Sequence, residues 1–311
     1  MEIEQSTSQP VDGNEIQSSA PSFGRNPIAP IYPQQDQQPC PTCGNSTGAS
    51  SNEFAAPHYV YAIGRIESRF PNLSVEKEFA QLVGRAETAG LTDKQVTHEL
   101  LSQPENLYLV LELCWVLTIE GLDTYILYPR HPSGFERLIE SLRLAPRPTD
   151  VDVVVGLLGP IASPEMCNGL MLPVVVFDQI YSFDVDSLLK SIPRPENIPE
   201  DQFGSAAEDL LWRIMQLADN AGATDEHRAL NYLALRYPAV YEQTAMLLGQ
   251  NCSLTGVDVR PSRLSSTRKV VDVIFAYTSR QTDVTEKFFV RVDVTEKYPF
   301  LVTKLSPYYE R

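Results

Sequence analysis

Cys40-Pro-Thr-Cys43-Gly44 carries the clearest chemical signal in this sequence. Two thiolates two residues apart can both reach one tetrahedral Zn²⁺, and a following Gly lets the backbone turn its amides toward sulfur. A CxxC supplies half of such a site. Of the other cysteines, Cys167 and Cys252 stand beside Asn168 and Asn251 in stretches that read as loops, while Cys114 ends an apolar run beside Trp115 and reads as buried core. The expected ligand set is therefore Cys40, Cys43, Cys167 and Cys252, a structural zinc closed to water by four sulfurs. Unligated thiols are the competing reading. A metal bridging two subunits and a redox CxxC stand behind both.

The carboxylates offer a second chemistry. Asp178, Asp184 and Asp186 gather around Tyr181 and Phe183, with Glu165 upstream. Paired acids can move protons or hold a cation, and equally can be the solvated ends of a strand. Arg260-Pro-Ser-Arg263 with Arg268-Lys269 is the one basic cluster. It could dock a carboxylate-bearing peptide or an acidic partner, or simply be surface charge in a turn. Asp178, Asp184, Arg260 and Arg263 are thus the candidate peptide or partner contacts. His58, His98, His131 and His227 stand apart, with no HExxH or HxH pairing. No G-x-G-x-x-G, P-loop or G-x-S-x-G occurs, so no catalytic residue is assigned.

These residues need elements to hold them. Val151–Leu158 and Leu170–Ile180 are near-continuous apolar runs bounded by Gly and Pro, the pattern of strands buried on both faces. Cys167 lies in the loop between them. Tyr59–Ile63 reads as an earlier strand, and Trp115–Ile119 with Thr124–Tyr128 as a hairpin. Ser74 caps a helix closed by Gly90; Thr92 and Gln95 form a capping box for a helix to about Ser102; Pro104 opens another through Leu113. Ser133 with Glu136 starts a short helix to Leu142. Pro193, Pro195 and Pro199 make a stiff connector, and Ser205 with Glu208 reads as a capping box opening a helix through Ala218. Thr224 caps a helix that Pro238 interrupts and Gly249 ends. Lys269–Tyr277, Lys287–Val294 and Phe300–Leu305 read as strands, with Arg291, Asp293 and Thr295 on a wet face of the second. The repeat Asp283-Val-Thr-Glu-Lys287, Asp293-Val-Thr-Glu-Lys297 is local, since two copies make no solenoid.

The expected fold is α+β: a mixed or antiparallel sheet with packed helices and a C-terminal β-meander. A disordered tail precedes it, because residues 1–56 are Gln-, Ser- and Pro-rich and lack hydrophobic periodicity. The expected domain is 57–311, with a sub-boundary near 193–204. Of the 311 residues, 43% are hydrophobic, enough to build a real core. The net charge of −15 repels phosphate backbones and argues against nucleic acid. No run approaches a bilayer span, and the acidic N-terminus resembles no targeting peptide, so the expected location is the cytoplasm.

Several strings also follow one another in a known order. They are Tyr59-Val-Tyr-Ala-Ile-Gly-Arg-Ile-Glu67, Glu76-Lys-Glu-Phe-Ala80, Gly84-Arg-Ala-Glu-Thr-Ala-Gly-Leu-Thr92 and Cys114-Trp-Val-Leu-Thr-Ile-Glu-Gly121. Pro164-Glu-Met-Cys-Asn-Gly-Leu170, Val176-Phe-Asp-Gln-Ile-Tyr-Ser-Phe-Asp184 and Leu301-Val-Thr-Lys-Leu-Ser-Pro-Tyr-Tyr309 complete the series. From Cys40 to Arg311 the chain resembles the C-terminal domain of unknown function of PatA/PatG-type cyanobactin maturation proteins. In that family the domain follows a subtilisin-like protease that trims or macrocyclises ribosomally made peptides. Here a Gln/Ser/Pro-rich stretch stands in the protease's place, so its catalytic residues have no counterparts and proteolysis is not carried over.

The resemblance implies an accessory or assembly domain in ribosomal peptide maturation. Its partner would be a precursor peptide, a maturation enzyme or a second copy of itself. An enzyme of unrecognised chemistry acting on a peptide is the first alternative. A diverged cytoplasmic protein-interaction domain is the second.

Overall fold

The computed structural model describes residues 57–84, 90–143, 145, 147, 149–194, 196, 198–216 and 219–309. The expected tail, with Cys40 and Cys43, lies outside them.

The first strand, Tyr59–Arg69 (β1), is longer than its apolar opening, because it serves two neighbours in turn. Tyr59 to Gly64 pair with Asp150–Ile161 (β4), and Arg65 to Arg69 pair with Cys114–Ile119 (β2), both antiparallel. The change of partner falls at Gly64, where a Cβ would lie 2.4 Å from the Thr118 carbonyl. Only glycine allows the backbones that close an approach. β2 returns through Glu120 and Gly121, both at positive φ, into Leu122–Pro129 (β3), the hairpin expected from the sequence. β3 runs parallel to Pro173–Asp184 (β5), which is antiparallel to β4, and β4 returns to β1. The mixed sheet is therefore a closed barrel of order β1-β2-β3-β5-β4.

Closure sorts the strand residues by parity. Val60, Ala62, Ile66, Trp115, Leu117, Tyr125, Leu127, Val154, Val175 and Phe177 form one core. That core is completed by Leu73–Val83 (α1), Asp93–Leu101 (α2), Leu107–Glu112 (α3) and Gly134–Ser141 (α4). Trp115 donates its indole N–H to the Val110 carbonyl at 3.0 Å, so a large aromatic is buried without an orphaned donor.

The opposite strand faces, with Tyr61, Ile63, Val151, Val153 and Val155, enter a second core. It is shared with Val185–Ser191 (α5), Glu200–Met215 (α6), Asp225–Arg236 (α7) and Pro238–Gly249 (α8). The antiparallel meander Cys252–Pro261 (β6), Val270–Ser279 (β7), Thr285–Asp293 (β8) and Phe300–Pro307 (β9) completes it. Ile192, Ile198 and Phe203 lie in this same core, and Ala55–Arg311 forms one compact unit across the 193–204 connector.

Four local expectations are corrected. Helix α6 begins at Glu200 rather than at Ser205, because Glu200 and Asp201 complement the dipole of an earlier turn and Phe203 is needed in the core. Asn72, not Ser74, caps α1, accepting from the Ser74 and Val75 amides. Cys252 opens strand β6 rather than lying in a loop. Asp293 is buried rather than wet, paired with Arg268 and accepting from the Thr295 amide at 2.9 Å. The Thr92–Gln95 capping box forms with both of its hydrogen bonds.

A third, small cluster lies on the remaining barrel face, where Val116, Ile126 and Ala162 surround Cys114 and Cys167. These two cysteines are joined as a disulfide with Cα atoms 5.9 Å apart. Cys252 is a free thiol. Among the described residues no group of three or more His, Cys, Asp or Glu could hold a metal ion, and no helix is long and apolar enough to cross a membrane.

Candidate functional site

The two expected acids prove to be structural partners. Asp178 on β5 accepts from Arg130 Nε at 2.7 Å and pairs with Lys297 Nζ at 3.0 Å, tying the barrel to the turn between β8 and β9. Asp184, at the end of β5, accepts from the Thr149 hydroxyl, from Ser187 Oγ at 3.2 Å and from Arg147 Nη1 at 3.2 Å. The Thr149 hydrogen bond, more than any other contact, holds the Asp184 carboxyl below the usual carboxylate range. Wired this way, neither acid presents a free carboxylate.

The two expected arginines lie elsewhere. Arg260 on β6 stacks over the Tyr308 ring, 5.2 Å from its centroid, and donates to the Tyr308 hydroxyl. Arg263 is exposed in the turn that follows. No ion pair among the described residues joins either arginine to Asp178 or Asp184. Of the expected zinc ligands, Cys40 and Cys43 lie outside the described residues, and Cys167 is occupied by Cys114.

What the fold does assemble is a pocket on the outer face of the barrel. Tyr61, Val153, Tyr181 and Phe183 project from three adjacent strands, in register through Val153↔Tyr181 and Val151↔Phe183. Helix α5 closes one side with Ser187, Leu188 and Ser191, and the end of α7 closes the other with Leu235 and Arg236. The cavity measures about 320 Å³ and every lining residue is described. Three larger clefts, of about 710, 620 and 520 Å³, border positions 217–218, 85–89 and 195, which are not described.

Arg236 sits at the C-terminal end of α7, where a cation complements the helix dipole. Its guanidinium lies 5.1 Å from the centroid of the Tyr181 ring. Tyr181 in turn donates its hydroxyl to Gln179 Oε1 at 2.5 Å, which fixes the ring under the cation. The Tyr61 phenol is raised by burial above its ordinary pKa, while nearby Arg236 works against that rise. It is therefore a neutral hydroxyl facing a cation. Among the described residues no carboxylate pairs with Arg236, whose guanidinium interacts instead with the Tyr61 hydroxyl and the Tyr181 ring. The arrangement can hold a carboxylate at Arg236 with an apolar group against Val153, Phe183 and Leu188.

Tyr61 is held from behind. Its backbone N–H donates to Gly222 O at 2.9 Å, and its carbonyl accepts from Asn231 Nδ2 at 2.8 Å. Nothing in the sequence marks Tyr61 or Arg236, because a stray Arg at a helix end and a strand Tyr are individually ordinary. Asp152 was equally hidden inside an apolar run. It is buried beside Ser182 Oγ at 2.5 Å and Ile66 N at 2.8 Å, and burial pushes its pKa up to about 6.

Comparison with known proteins bears on what this pocket belongs to. Residues 197–308 match the family described as PatG C-terminal. A solved structure titled "PatG Domain of Unknown Function" superposes with a TM-score of 0.65 at 21% identity, covering 81% of this chain and 98% of that one. At that identity the likeness shows a shared fold. No curated protein matches the chain. The PatG resemblance read from the sequence motifs is thus supported by both comparisons. The matched stretch runs from the connector before α6 to the end of β9, and so includes Arg236 but not Tyr61, Val153, Tyr181 or Phe183.

Proposed function

We propose that this chain is a non-catalytic accessory domain of PatG-type peptide maturation, which binds a linear peptide through its terminal carboxylate. The observation that carries this reading is Arg236, an arginine without an acid partner among the described residues, stacked on Tyr181 over an apolar pocket. A volume of about 320 Å³ suits one or two residues rather than a folded partner. A peptide that ends in an apolar residue places its carboxylate on the guanidinium and its last side chain against Phe183 and Leu188.

The test is calorimetric titration of the full chain with a short peptide ending in Leu, as free acid and as C-terminal amide. The acid binds, and the amide binds at least about tenfold more weakly, a difference near 1.4 kcal/mol. Mass spectrometry finds the peptide unchanged. No binding of either form sinks the peptide reading and shifts weight to maturation enzymes or a second copy as partner. A changed peptide mass would replace the accessory role with an enzymatic one.

A further inference from the structure

Tyr61, Tyr181, Ser187, Ser191 and Arg236 are the polar side chains that line the pocket between β1, β4, β5, α5 and α7. Tyr181, Ser187 and Ser191 already donate their hydroxyls within the fold. Tyr181 gives its proton to Gln179 Oε1 at 2.5 Å, and Ser187 gives its own to Asp184 Oδ2 at 3.2 Å. Ser191 bonds back to the Leu188 carbonyl at 2.7 Å, along its own helix. A hydroxyl has one proton, so none of these has a hydrogen left for a ligand. Leu188 lies between the two serines, and the α5 wall offers no donor.

Tyr61 differs. It is 4% exposed, yet no described residue accepts its hydroxyl proton. Its phenol oxygen accepts from the Arg236 guanidinium, which carries donors only and so fixes the direction of that contact. The O–H proton is left without an acceptor, although buried phenols as a rule find one. What Tyr61 faces is the cavity. Burial keeps the phenol protonated, so the proton is there to give. The strand beneath it is held at Gly222 and Asn231, which keeps the ring at the pocket. An acceptor bound here meets an O–H from Tyr61 and an N–H from Arg236 together.

We propose, building on the peptide reading above, that Tyr61 is a specificity-determining residue of the pocket, donating its hydroxyl to the terminal carboxylate that Arg236 binds. The anchor then joins two elements, a neutral donor on β1 and a cation at the end of α7. Hydrogen bonds to an ionised acceptor are the strong ones, so the phenol favours a carboxylate over the carbonyl of an amide. An amide in the same place lacks the charge that suits Arg236 and presents an NH₂ group where the anchor offers donors. The ligand class narrows to a free carboxylate beside an apolar side chain, with neutral termini rejected by two residues rather than one. Binding moves no proton, because Tyr61 stays a phenol and the ligand stays ionised.

The test is calorimetric titration of the full chain and of Tyr61→Phe with the same Leu-ending peptide, as free acid and as amide. Phe keeps the ring and its burial, so the variant removes the hydroxyl alone. The acid is expected to bind Tyr61→Phe about tenfold more weakly than the parent, and the amide to lose less. Denaturant midpoints of the two chains are expected to stay together, because the proton has no partner in the free fold. A second comparison separates donation from support of Arg236. Tyr61→Phe placed on Arg236→Gln still lowers acid affinity, by at least about threefold, when the phenol itself touches the ligand. Equal acid affinity in Tyr61→Phe and the parent overturns the role of Tyr61 and leaves the Arg236 reading standing. So does a double variant no weaker than Arg236→Gln alone, which makes Tyr61 a support for the guanidinium. A parent that binds neither form of the peptide fails the peptide reading itself, and the anchor falls with it.

Discussion

The Asp152 carboxylate accepts the backbone N–H of Ile66 at 2.8 Å, just past the point where β1 leaves β4 for β2. A side chain there satisfies a main-chain donor next to the seam of the barrel. Burial holds Asp152 at a pKa of about 6, against an ordinary value of 3.8. The unfolded chain therefore loses this proton at lower pH than the folded one, and stability falls as pH rises from about 4 to about 6. Full ionisation costs at most about 3 kcal/mol over that window. Asp152→Asn keeps an oxygen for Ile66 and an N–H for Ser182, so it flattens this slope without loss of stability at pH 8. Asp152→Ala leaves Ile66 unpaired and costs about 1–3 kcal/mol. Urea unfolding from pH 4.5 to 8 measures both.

Asp184 responds in the opposite sense. Its folded pKa is depressed, first by the Thr149 hydroxyl, so its stabilising contribution is present above the ordinary carboxyl value of 3.8. It is lost as pH falls through the lower folded value. Asp184→Asn should remove that acid-side loss, and Thr149→Val should shrink it. Thermal unfolding between pH 2.5 and 5 reads the effect. An unchanged acid limb in Asp184→Asn would rule this out.

Gly222 sits at φ +71 with its Cα packed under β1, where a Cβ would come within 2.5 Å of Tyr61 O. Gly222→Ala therefore carries both backbone strain and a main-chain clash, and should cost about 2–4 kcal/mol. Because Gly222 O also accepts from Tyr61 N, the same change displaces Tyr61 from the pocket. Peptide binding should weaken even where the variant remains folded by circular dichroism.

Arg228 is 2% exposed and donates to the carbonyls of Val294, at 2.7 Å, and Glu296. It stitches α7 to the turn that carries Lys297 and hence to Asp178. Asp225, at 3.4 Å, is its carboxylate partner. Arg228→Ala strands those carbonyls and should cost about 3–5 kcal/mol. Arg228→Lys recovers only part, since one ammonium cannot span the carbonyls that the guanidinium fork reaches. Denaturant midpoints of the two variants check the order.

Arg236→Gln should leave folding intact, because the side chain is exposed and stacks on Tyr181 without an ion pair. It should erase the preference for peptide acid over amide. Tyr181→Leu, which keeps the apolar wall but removes the ring under the cation, should weaken the acid less than Arg236→Gln does. Titration of both variants against the same two peptides provides the comparison.

What the sequence determined by itself was local. The Thr92–Gln95 box, the Thr224 cap, the break at Pro238, the Glu120-Gly121 hairpin and the C-terminal meander are all decided within a few residues, by hydrogen bonds and φ angles that near neighbours set. Where a distant partner outweighed the local signal, the reading failed. Ser205 and Glu208 make a plausible cap, but burial of Phe203 draws the helix start back to Glu200. β6 pairs with β7 despite lacking a clear strand pattern of its own. Only the tertiary structure decided barrel closure, the meeting of Cys114 with Cys167, and the approach of Arg236 to Tyr181. Each joins residues whose separation along the chain exceeds the reach of any sequence period, and each is selected by which faces the closed barrel leaves to be covered.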